Sequence, residues 1–245
     1  MSMPAELVAN AQERAGWAAE LAARVRLHFV LKTVGISAFI WVFFIGYFWV
    51  LRHPVYPVTL MPVTAIDRLV PFQPVMLGPY LTLWFYVGIV AGLAPSFRHL
   101  IVHGLWATAL CITGLAIFYF WPTAVPPRPF DATGYPGFAL LQGVDAPGNA
   151  CPSMHVAVAV FTAIGLRSLL RGIGAPRWLR LLNAAWCLAI VYSTLATKQH
   201  VALDAVAGVL LGTTFALFSL RWRPGGWSAD GVRLSAGDII RRQSF

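Results

Sequence analysis

Six apolar runs dominate this chain, and each is close to the 20 or so residues that a helix needs to cross the hydrocarbon core of a bilayer. They lie at about 34–51, 75–94, 100–120, 153–170, 178–196 and 201–220. Hydrophobic residues make up 58% of the chain and charged residues only 11%, whereas a soluble domain is about 45 to 50% apolar. The sequence therefore predicts an all-α protein, an integral membrane bundle of six transmembrane helices.

The start of the chain has a different pattern. Residues 1–28 contain no long apolar run, so a cleavable signal peptide is not expected there. Trp17, Leu21 and Val25 recur at helical spacing opposite charged residues such as Glu20. This spacing predicts an N-terminal amphipathic helix lying in the cytoplasmic membrane interface. A soluble helix that leans on the bundle explains the pattern equally well.

The predicted organisation has three parts: the N-terminal helix in residues 1–28, the six-helix membrane domain in residues 29–223 and a cytoplasmic tail in residues 224–245. Two basic residues, Lys32 and Arg167, lie near helix ends and are predicted to extend their charged heads to the interface. The three cysteines form no disulfide framework or metal-binding pattern.

Basic residues are distributed unevenly between the two ends of the predicted helices. If the N-terminus is cytoplasmic, fourteen of the eighteen lysines and arginines fall on the cytoplasmic side, and the other four are Arg52, Arg68, Arg128 and Lys198. This bias predicts a protein of the inner cell membrane with both termini in the cytoplasm. The net charge of +9 follows from this topology, so nucleic acid is not expected as a partner.

Two short motifs place ionisable groups where apolar residues would be expected. The first is Pro152-Ser153-Met154-His155, and the second runs from His200 to Asp204. Asp204 lies well inside an apolar run, where an ionisable residue is a functional-site hypothesis by default. With both termini cytoplasmic, both motifs face the outer, periplasmic side. The sequence therefore predicts one polar site that contains His155, His200 and Asp204.

Helix geometry assigns these side chains different tasks. Ser153 is predicted to cap the fourth transmembrane helix, which leaves His155 in the first turn, where backbone amides and the macrodipole attract anions. His200 and Asp204 are four residues apart, so they share a helix face and the carboxylate can orient the imidazole. An oriented imidazole is a candidate nucleophile or base.

A metal site is the main competing interpretation of these residues, because two histidines and a carboxylate are also a ligand set for iron or zinc. Arg128 and Lys198 lie close to the motifs in sequence, and such cations would repel a metal and attract an anion. We therefore expect no metal and no other cofactor.

The two motifs resemble those of the type 2 phosphatidic acid phosphatase (PAP2) superfamily of membrane phosphatases and phosphotransferases, over roughly residues 67–208. That family carries K-x6-R-P, P-S-G-H and S-R-x5-H-x3-D. This chain has P-S-M-H, then Ser193-Thr194 followed after five residues by His200 and after three more by Asp204. The resemblance implies that His200 attacks phosphorus, that Asp204 orients His200 and that His155 protonates the leaving oxygen.

Two cations of the family pattern are missing. Trp121 stands where the first lysine would fall, and Thr194 replaces the arginine of the third motif. By the resemblance, Arg128 represents the end of the first motif and Lys198 compensates in part, although a lysine cannot bind phosphate in the bidentate manner of arginine. The helix start at Ser153 and Met154 completes the predicted set of phosphate-binding residues.

The segment from Ile66 to Pro74 resembles the branch of the superfamily that contains inositol phosphorylceramide synthases and bacterial relatives. The preferred function is a lipid phosphate phosphatase that cleaves a phosphomonoester or diphosphate through a phosphohistidine. One alternative is a phosphotransferase that moves a phosphorylated head group to ceramide, diacylglycerol or an inositol lipid. Another is a non-catalytic lipid transporter or scaffold. In each case the expected partners are a lipid phosphate and the membrane lipids.

Overall fold

The computed structural model describes residues 5–127, 135, 138 and 148–222, with the backbone alone for residues 5–15. Its elements are α1 (Ala5–Arg26), α2 (Phe29–Arg52), β1 (Thr59–Leu60), α3 (Ala65–Leu69), α4 (Leu77–Leu81), α5 (Leu83–Tyr86), α6 (Ile89–Gly92), α7 (Phe97–Phe120), β2 (Thr123–Ala124), α8 (Met154–Gly172), α9 (Arg177–Ala196) and α10 (Ala202–Arg221). The predicted tail in residues 224–245 lies outside the described part.

The predicted bundle is confirmed. Six helical segments are long and apolar enough to cross a membrane: α2, the broken helix Pro74–Gly92 that includes α4 to α6, and α7 to α10. Large apolar side chains such as Trp41, Phe85 and Leu188 lie on the outer surface of the bundle with exposed fractions of 72%, 83% and 68%. A bilayer would cover these side chains, since a soluble protein rarely exposes so large an apolar surface.

The broken helix has a local cause. Its three helical pieces are separated at Thr82 and at Val87-Gly88, and Pro79 supplies no amide hydrogen to continue the backbone ladder. The hydroxyl of Thr82 donates to the carbonyl oxygen of Pro79 over 2.6 Å. These substitutes for regular helical bonds let an irregular segment cross the bundle.

Helices α8 and α10 approach each other closely at two glycines. A Cβ atom on Gly208 would lie 2.5 Å from the carbonyl oxygen of Ser153, and one on Gly212 would lie 2.2 Å from that of Ala157. The G-x3-G spacing therefore allows direct contact between helix backbones, a common arrangement in membrane bundles. This packing sets the distance between the first turns of α8 and α10.

The N-terminal helix packs with charged residues turned inward. Arg24 Nε donates to Glu20 Oε1 over 2.7 Å, and both side chains are buried. Val25, expected on the apolar face, is 45% exposed, and Trp17 packs against a buried cluster of the bundle. The described half of α1 thus contacts the bundle through both polar and apolar groups.

Lys32 does not extend to the interface, in contrast to the prediction. It is buried, and its Nζ donates to the carbonyl oxygens of Arg24, Gly92 and Ala94 at 2.8, 2.9 and 2.9 Å. The three donors of the ammonium group are therefore used. Lys32 joins the end of α1 to the end of α6, an arrangement that depends on contacts between distant segments.

A pair of two-residue strands was not predicted. Strands β1 and β2 run parallel, with Thr59 opposite Thr123, and Ala124 forms a further bridge with Gly148. These contacts hold both ends of the long loop after α7 at the end of the bundle where α8 and α10 begin. We call this the site end, and the end near Lys32 the opposite end.

Candidate active site

The first predicted motif begins α8. Ser153 is fully buried and caps the helix, because its Oγ accepts a hydrogen bond from the amide of Val156 over 3.3 Å. Cys151, the residue before the motif, is held by a hydrogen bond of 2.8 Å from its amide to Thr123 Oγ1. His155 therefore lies in the first turn of α8, as the sequence predicted.

Aromatic side chains enclose His155. Its ring stacks on Tyr80 with centroids 4.5 Å apart and an interplanar angle of 25°, and the Trp84 ring meets it edge-on at 5.7 Å. Tyr80 is itself buried beside Phe138. The stacking holds the His155 ring in one orientation on the side contacted by α4 and α5.

The second motif spans the turn before α10 and its first turn. His200 Nδ1 lies 3.5 Å from Asp204 Oδ2, with Asp204 completely buried and His200 only 9% exposed. The same Oδ2 accepts a hydrogen bond of 3.0 Å from the amide of Val201. His200 contacts Asp204 as predicted, but it does so from the turn before α10 and not from a shared helix face. Hydrogen bonds of this kind are often long before a ligand binds.

Two buried polar atoms of this pair remain unsatisfied. Within the described residues, neither Asp204 Oδ1 nor His200 Nδ1 makes a hydrogen bond. A buried polar group without a hydrogen bond is costly, and native proteins keep few of them. Such groups are retained more readily where a ligand or a reaction uses them.

One backbone hydrogen bond joins the two motifs. The amide of Ser153 donates to the carbonyl oxygen of Asp204 over 2.9 Å. Gly208, one turn further along α10, makes this approach possible because a side chain there would meet Ser153. The sequence placed both motifs on one side of the membrane, and this contact places them side by side.

As a result, the two histidines face a common space. The ring centroids of His155 and His200 are 5.8 Å apart, with an angle of 57° between the rings. Reacting atoms in a productive complex are about 3 to 3.5 Å apart, so one phosphoryl group between the rings would be within reach of both. The remaining nitrogen of His200, Nε2, is the one not directed at Asp204.

Lys198 occupies an unexpected environment. Its Nζ donates to the carbonyl oxygens of Asp67, over 2.8 Å, and Val70, at the end of α3. Its φ of 57° lies in the left-handed region, which a residue other than glycine adopts at some cost. The role of Lys198 in phosphate binding stays a prediction, and its observed contacts fix the turn that precedes His200.

Asp67 is a residue of the site region that motif analysis missed. Its Oδ1 accepts a hydrogen bond of 2.7 Å from the amide of Ala202, at the start of α10, and its Oδ2 accepts from the amide and hydroxyl of Thr64, each over 2.7 Å. This one carboxylate therefore caps α3 and α10 together. The only sequence signal was the Thr64-x-x-Asp67 capping pattern.

The remaining motif positions have structural roles. Thr194, which replaces the family arginine, is fully buried, and its carbonyl oxygen accepts hydrogen bonds from the amides of Gln199 and His200. Met154, where the family has glycine, packs against α7: a Cβ atom on Gly114 would lie 2.2 Å from its sulfur. Gly114 thus provides the space that the larger side chain needs.

Among the predicted phosphate-binding groups, Arg128 lies outside the described residues. The Ser153 amide is used by Asp204, as described above, which leaves the Met154 amide and the positive end of the α8 dipole for an anion. Within the described residues, no group of three or more histidine, cysteine or acidic side chains could hold a metal ion.

The environment of Asp204 also affects a neighbouring thiol. Burial, and to a smaller extent the negative charge of Asp204, raise the pKa of Cys151 to about 11. Cys151 is only 6% exposed. Since the thiolate is the reactive form of cysteine, the Cys151 side chain is chemically quiet at neutral pH and serves as packing beneath the site.

A cavity of about 680 Å³ opens onto the two histidines. It is enclosed by α2 and by the helices α4 to α8, and its lining is mostly apolar. His155 and His200 lie near one end of the cavity and Lys32 near the other. Ligand pockets commonly combine such an apolar lining with a few polar groups at one point.

Together, the fold and the site define a polytopic membrane protein with a histidine, histidine and aspartate centre at one end of six helices. Residues 75–218 match the model of the PAP2 superfamily, which is more than half of the 245 residues. The chain belongs to the PAP2 superfamily, so its class of function is phosphatase-type or phosphotransferase-type chemistry on lipid phosphates. No curated protein and no solved structure matches the chain.

Proposed function

We propose that this protein hydrolyses the phosphomonoester or diphosphate of a membrane lipid through a phosphohistidine on His200. The observation that carries the proposal is the pair of imidazole rings, 5.8 Å apart, at the polar end of an apolar cavity. An apolar cavity suits a lipid tail, and two adjacent imidazoles suit the transfer of a phosphoryl group.

The reaction takes two displacements. In the first, Nε2 of His200 attacks phosphorus, the bond from phosphorus to the lipid oxygen breaks, and His155 donates a proton to that oxygen. In the second, His155 removes a proton from water, the resulting oxygen attacks phosphorus, and the bond to His200 breaks. The products are the lipid alcohol, or the lipid monophosphate from a diphosphate, and inorganic phosphate.

Asp204 would support both steps without contacting the substrate. With Oδ2 near Nδ1 of His200, the carboxylate selects the tautomer that exposes Nε2 and stabilises the positive charge that forms on the ring. The other carboxylate oxygen, Oδ1, has no hydrogen bond among the described residues, so no donor there weakens the attraction between the carboxylate and the His200 ring.

The phosphate charge needs donors that do not depend on a metal. We assign this task to Arg128 and to the start of α8 at Met154, because oriented amides and cations stabilise the charge of a transferring phosphoryl group. We assign Lys198 the task of holding the turn before His200 in place, since its ammonium group bonds two carbonyl oxygens. Full activity in the presence of a chelator is the expected result; loss of activity restored by one divalent metal would contradict this assignment.

We also propose that the site end faces the outer side of the inner membrane, with both termini cytoplasmic, as the distribution of basic residues indicates. Single cysteines at Pro57, near the site end, and Arg171, near the opposite end, would test this in intact cells. Both positions are exposed and the three native cysteines are buried. An impermeant thiol reagent should label Pro57→Cys alone; labelling of Arg171→Cys alone would reverse the orientation.

The central experiment follows the products of purified protein with lipid monophosphates and diphosphates. Parallel samples contain ceramide, diacylglycerol or inositol lipid as acceptors. Free phosphate supports the proposal, a new phospholipid without free phosphate would replace it with a phosphotransferase, and unchanged lipids would favour a transporter or scaffold.

The His200→Ala variant tests the nucleophile. It should reduce turnover at least about a thousandfold, as expected when a covalent nucleophile is removed, and acid-labile phosphate should no longer attach to the protein. Near-normal turnover by folded His200→Ala protein would refute the mechanism.

A further inference from the structure

The cavity beneath the two histidines is longer than one leaflet of a bilayer. Its lining on α2 extends from Leu31 to Tyr47, and on α7 from Phe97 to Cys111. At a rise of 1.5 Å per residue these stretches measure about 24 and 21 Å. Half of the hydrocarbon core is about 15 Å thick, so two separate helices indicate a cavity that passes the middle of the membrane.

The two ends of this cavity have different polar groups. At the site end, the rings of His155 and His200 line the cavity with their centroids 5.8 Å apart, and Nε2 of His200 is the nitrogen not directed at Asp204. At the opposite end, the ammonium group of Lys32 is saturated by three carbonyl oxygens. An anionic head group therefore suits the site end, whereas the stretch that leads to Lys32 is lined mostly by apolar side chains and suits hydrocarbon.

The wall near Lys32 also communicates with the outside of the bundle. Leu31, Ile101 and Leu105 line the cavity, yet they are 49%, 46% and 64% exposed. In a bilayer this surface meets lipid chains. A lipid tail can therefore enter this part of the cavity sideways from the bilayer without passing through water.

We propose that the cavity holds the substrate's tail beyond the first leaflet, so that the protein selects lipid phosphates whose hydrocarbon tail extends to about 24 Å. This inference rests on the proposed function for the head group. The tail comes from the bilayer and not from water, so each methylene that packs against the cavity wall contributes dispersion contacts and not hydrophobic transfer. The advantage ends where the tail reaches the level of Lys32 and Leu31.

Two glycines allow the length of the cavity to be changed. Gly35 and Gly104 line it near the opposite end, and a Cβ atom on either would meet nothing within 4 Å. A leucine at Gly35 would therefore occupy the cavity without displacing the surrounding protein. Ser37 lies two residues further on the same helix, is exposed and is outside the lining, so Ser37→Leu is a matched control.

The first test measures kcat/KM for lipid monophosphates that differ only in tail length. For the unmodified protein, kcat/KM should rise with tail length and level off near 24 Å, the span of the lining on α2. Gly35→Leu should lower kcat/KM for long tails at least about tenfold more than for tails shorter than one leaflet, because only long tails reach that position. Ser37→Leu should leave the length profile unchanged. Equal losses at all lengths in Gly35→Leu, or a flat profile in the unmodified protein, would overturn the proposal.

A second test does not need turnover. A long-tail lipid phosphonate with a diazirine at the end of its tail is bound to His200→Ala protein in lipid nanodiscs and then photolysed. Cross-links at residues 31–36 or 97–105 are expected, and Gly35→Leu should reduce them several-fold. Cross-links confined to the site end would overturn the inference. If cross-links form as expected but no lipid is ever turned over, the proposed reaction fails while the tail site stands.

Discussion

The two ends of the bundle both bury ionisable groups, but they satisfy them differently. At the opposite end, Lys32 donates to three carbonyl oxygens and Arg24 pairs with Glu20 at 2.7 Å. At the site end, Asp204 and His200 are buried to a similar degree, yet each keeps a polar atom without a hydrogen bond among the described residues. Burial of a charge marks both ends. What distinguishes them is the length of the contacts: Arg24 meets Glu20 at 2.7 Å and Lys32 meets its carbonyl oxygens at 2.8, 2.9 and 2.9 Å, whereas His200 and Asp204 are 3.5 Å apart.

The distinction between the two ends would fail first if neutralising Asp204 and neutralising Glu20 had the same effects on kcat and on stability. Asp204→Asn keeps an oxygen for the Val201 amide but removes the charge behind His200. We expect kcat to fall between about a hundredfold and ten-thousandfold, with little change in melting temperature. Kinetics and thermal unfolding of the same purified sample would check this.

Glu20→Gln is the matched control for Asp204→Asn, because it neutralises a buried carboxylate at the other end. It should lower the free energy of unfolding by about 3 kcal/mol, as is typical when one partner of a buried pair is lost, and leave kcat per folded molecule unchanged. A loss of kcat in Glu20→Gln as large as that in Asp204→Asn would remove the distinction between the two ends.

A second prediction concerns the packing that creates the site end. Gly212→Ala places a Cβ atom where the carbonyl oxygen of Ala157 lies 2.2 Å away, and backbone cannot turn aside as a side chain can. We expect a loss of about 3 kcal/mol or more in stability, at the upper end for overpacking. Thermal unfolding in detergent would measure it.

Gly78→Ala is the control for this packing prediction, because a Cβ atom on Gly78 meets nothing within 4 Å. Its melting temperature should match that of the unmodified protein. Equal stability of Gly212→Ala and Gly78→Ala would mean that α8 and α10 do not pack through backbone contact.

At the opposite end, Lys32→Met should lower the stability of the protein without affecting the reaction at the site end. The methionine fills similar space but leaves three buried carbonyl oxygens without their donor, at a cost of about 1 to 3 kcal/mol for such a loss. A lower denaturation midpoint is the expected measurement. An unchanged midpoint would show that the contacts of Lys32 contribute nothing, and the contrast between the two ends would disappear.

Lys198 offers a further test of the comparison. It lies two residues before His200 at the site end, yet its ammonium group bonds carbonyl oxygens as that of Lys32 does. If it positions the His200 turn, Lys198→Ala should lower kcat about tenfold, as a small misplacement of a reacting group can, while the inhibition constant of inorganic phosphate stays nearly constant. The decisive control is Lys198→Arg. A phosphate-binding role predicts recovery with arginine, the residue type that the family uses, whereas the two carbonyl contacts predict little recovery.

The smallest expected effect is the pH response of Cys151. Its raised pKa means that the unfolded chain loses the thiol proton first, so this group's contribution to stability is complete below about pH 9 and declines as the pH rises toward 11. Labelling of native protein by iodoacetamide should accordingly be slow at pH 8 and accelerate above pH 10, as measured by mass spectrometry.

Asp204→Asn should move the Cys151 labelling profile slightly to lower pH, because the acid's negative charge is one of the two causes of the raised pKa. An unchanged profile would mean that the carboxyl group of Asp204 carries no charge in the folded protein. This result would also weaken its assigned role behind His200.

Several features followed directly from sequence patterns. The six apolar runs predicted six spans, and the observed helices agree with them within a few residues at most boundaries. Ser153 caps α8 as expected, and the short spacing of His200 and Asp204 brings their side chains together, although His200 lies in the turn before α10 and not on a shared helix face. These features are local: each depends on residues within about two helical turns, where composition and spacing decide the outcome.

Other features depended on residues far apart in the chain. The bond from Lys32 to Ala94 joins residues 62 positions apart, and that from Ala202 to Asp67 joins residues 135 apart. No periodicity predicts such pairs, which explains why Lys32 was expected at the interface and why Asp67 was missed as a support of the site. The cavity has the same origin, since its walls are formed by six helices, α2 and α4 to α8.

By itself, the sequence determined that this protein is a six-helix membrane bundle, that two motifs share one side of the membrane and that their residues suit phosphate chemistry. Hydropathy and helical periodicity act over short stretches, so they can be recognised without a fold. Only the tertiary structure decided that His155 and His200 share one space, that Lys32 is saturated with carbonyl oxygens and that a long apolar cavity connects the two ends. These outcomes depend on contacts between segments far apart in the chain; the closeness of the two motifs, for example, is set by Gly208 and Gly212 against the backbone of α8.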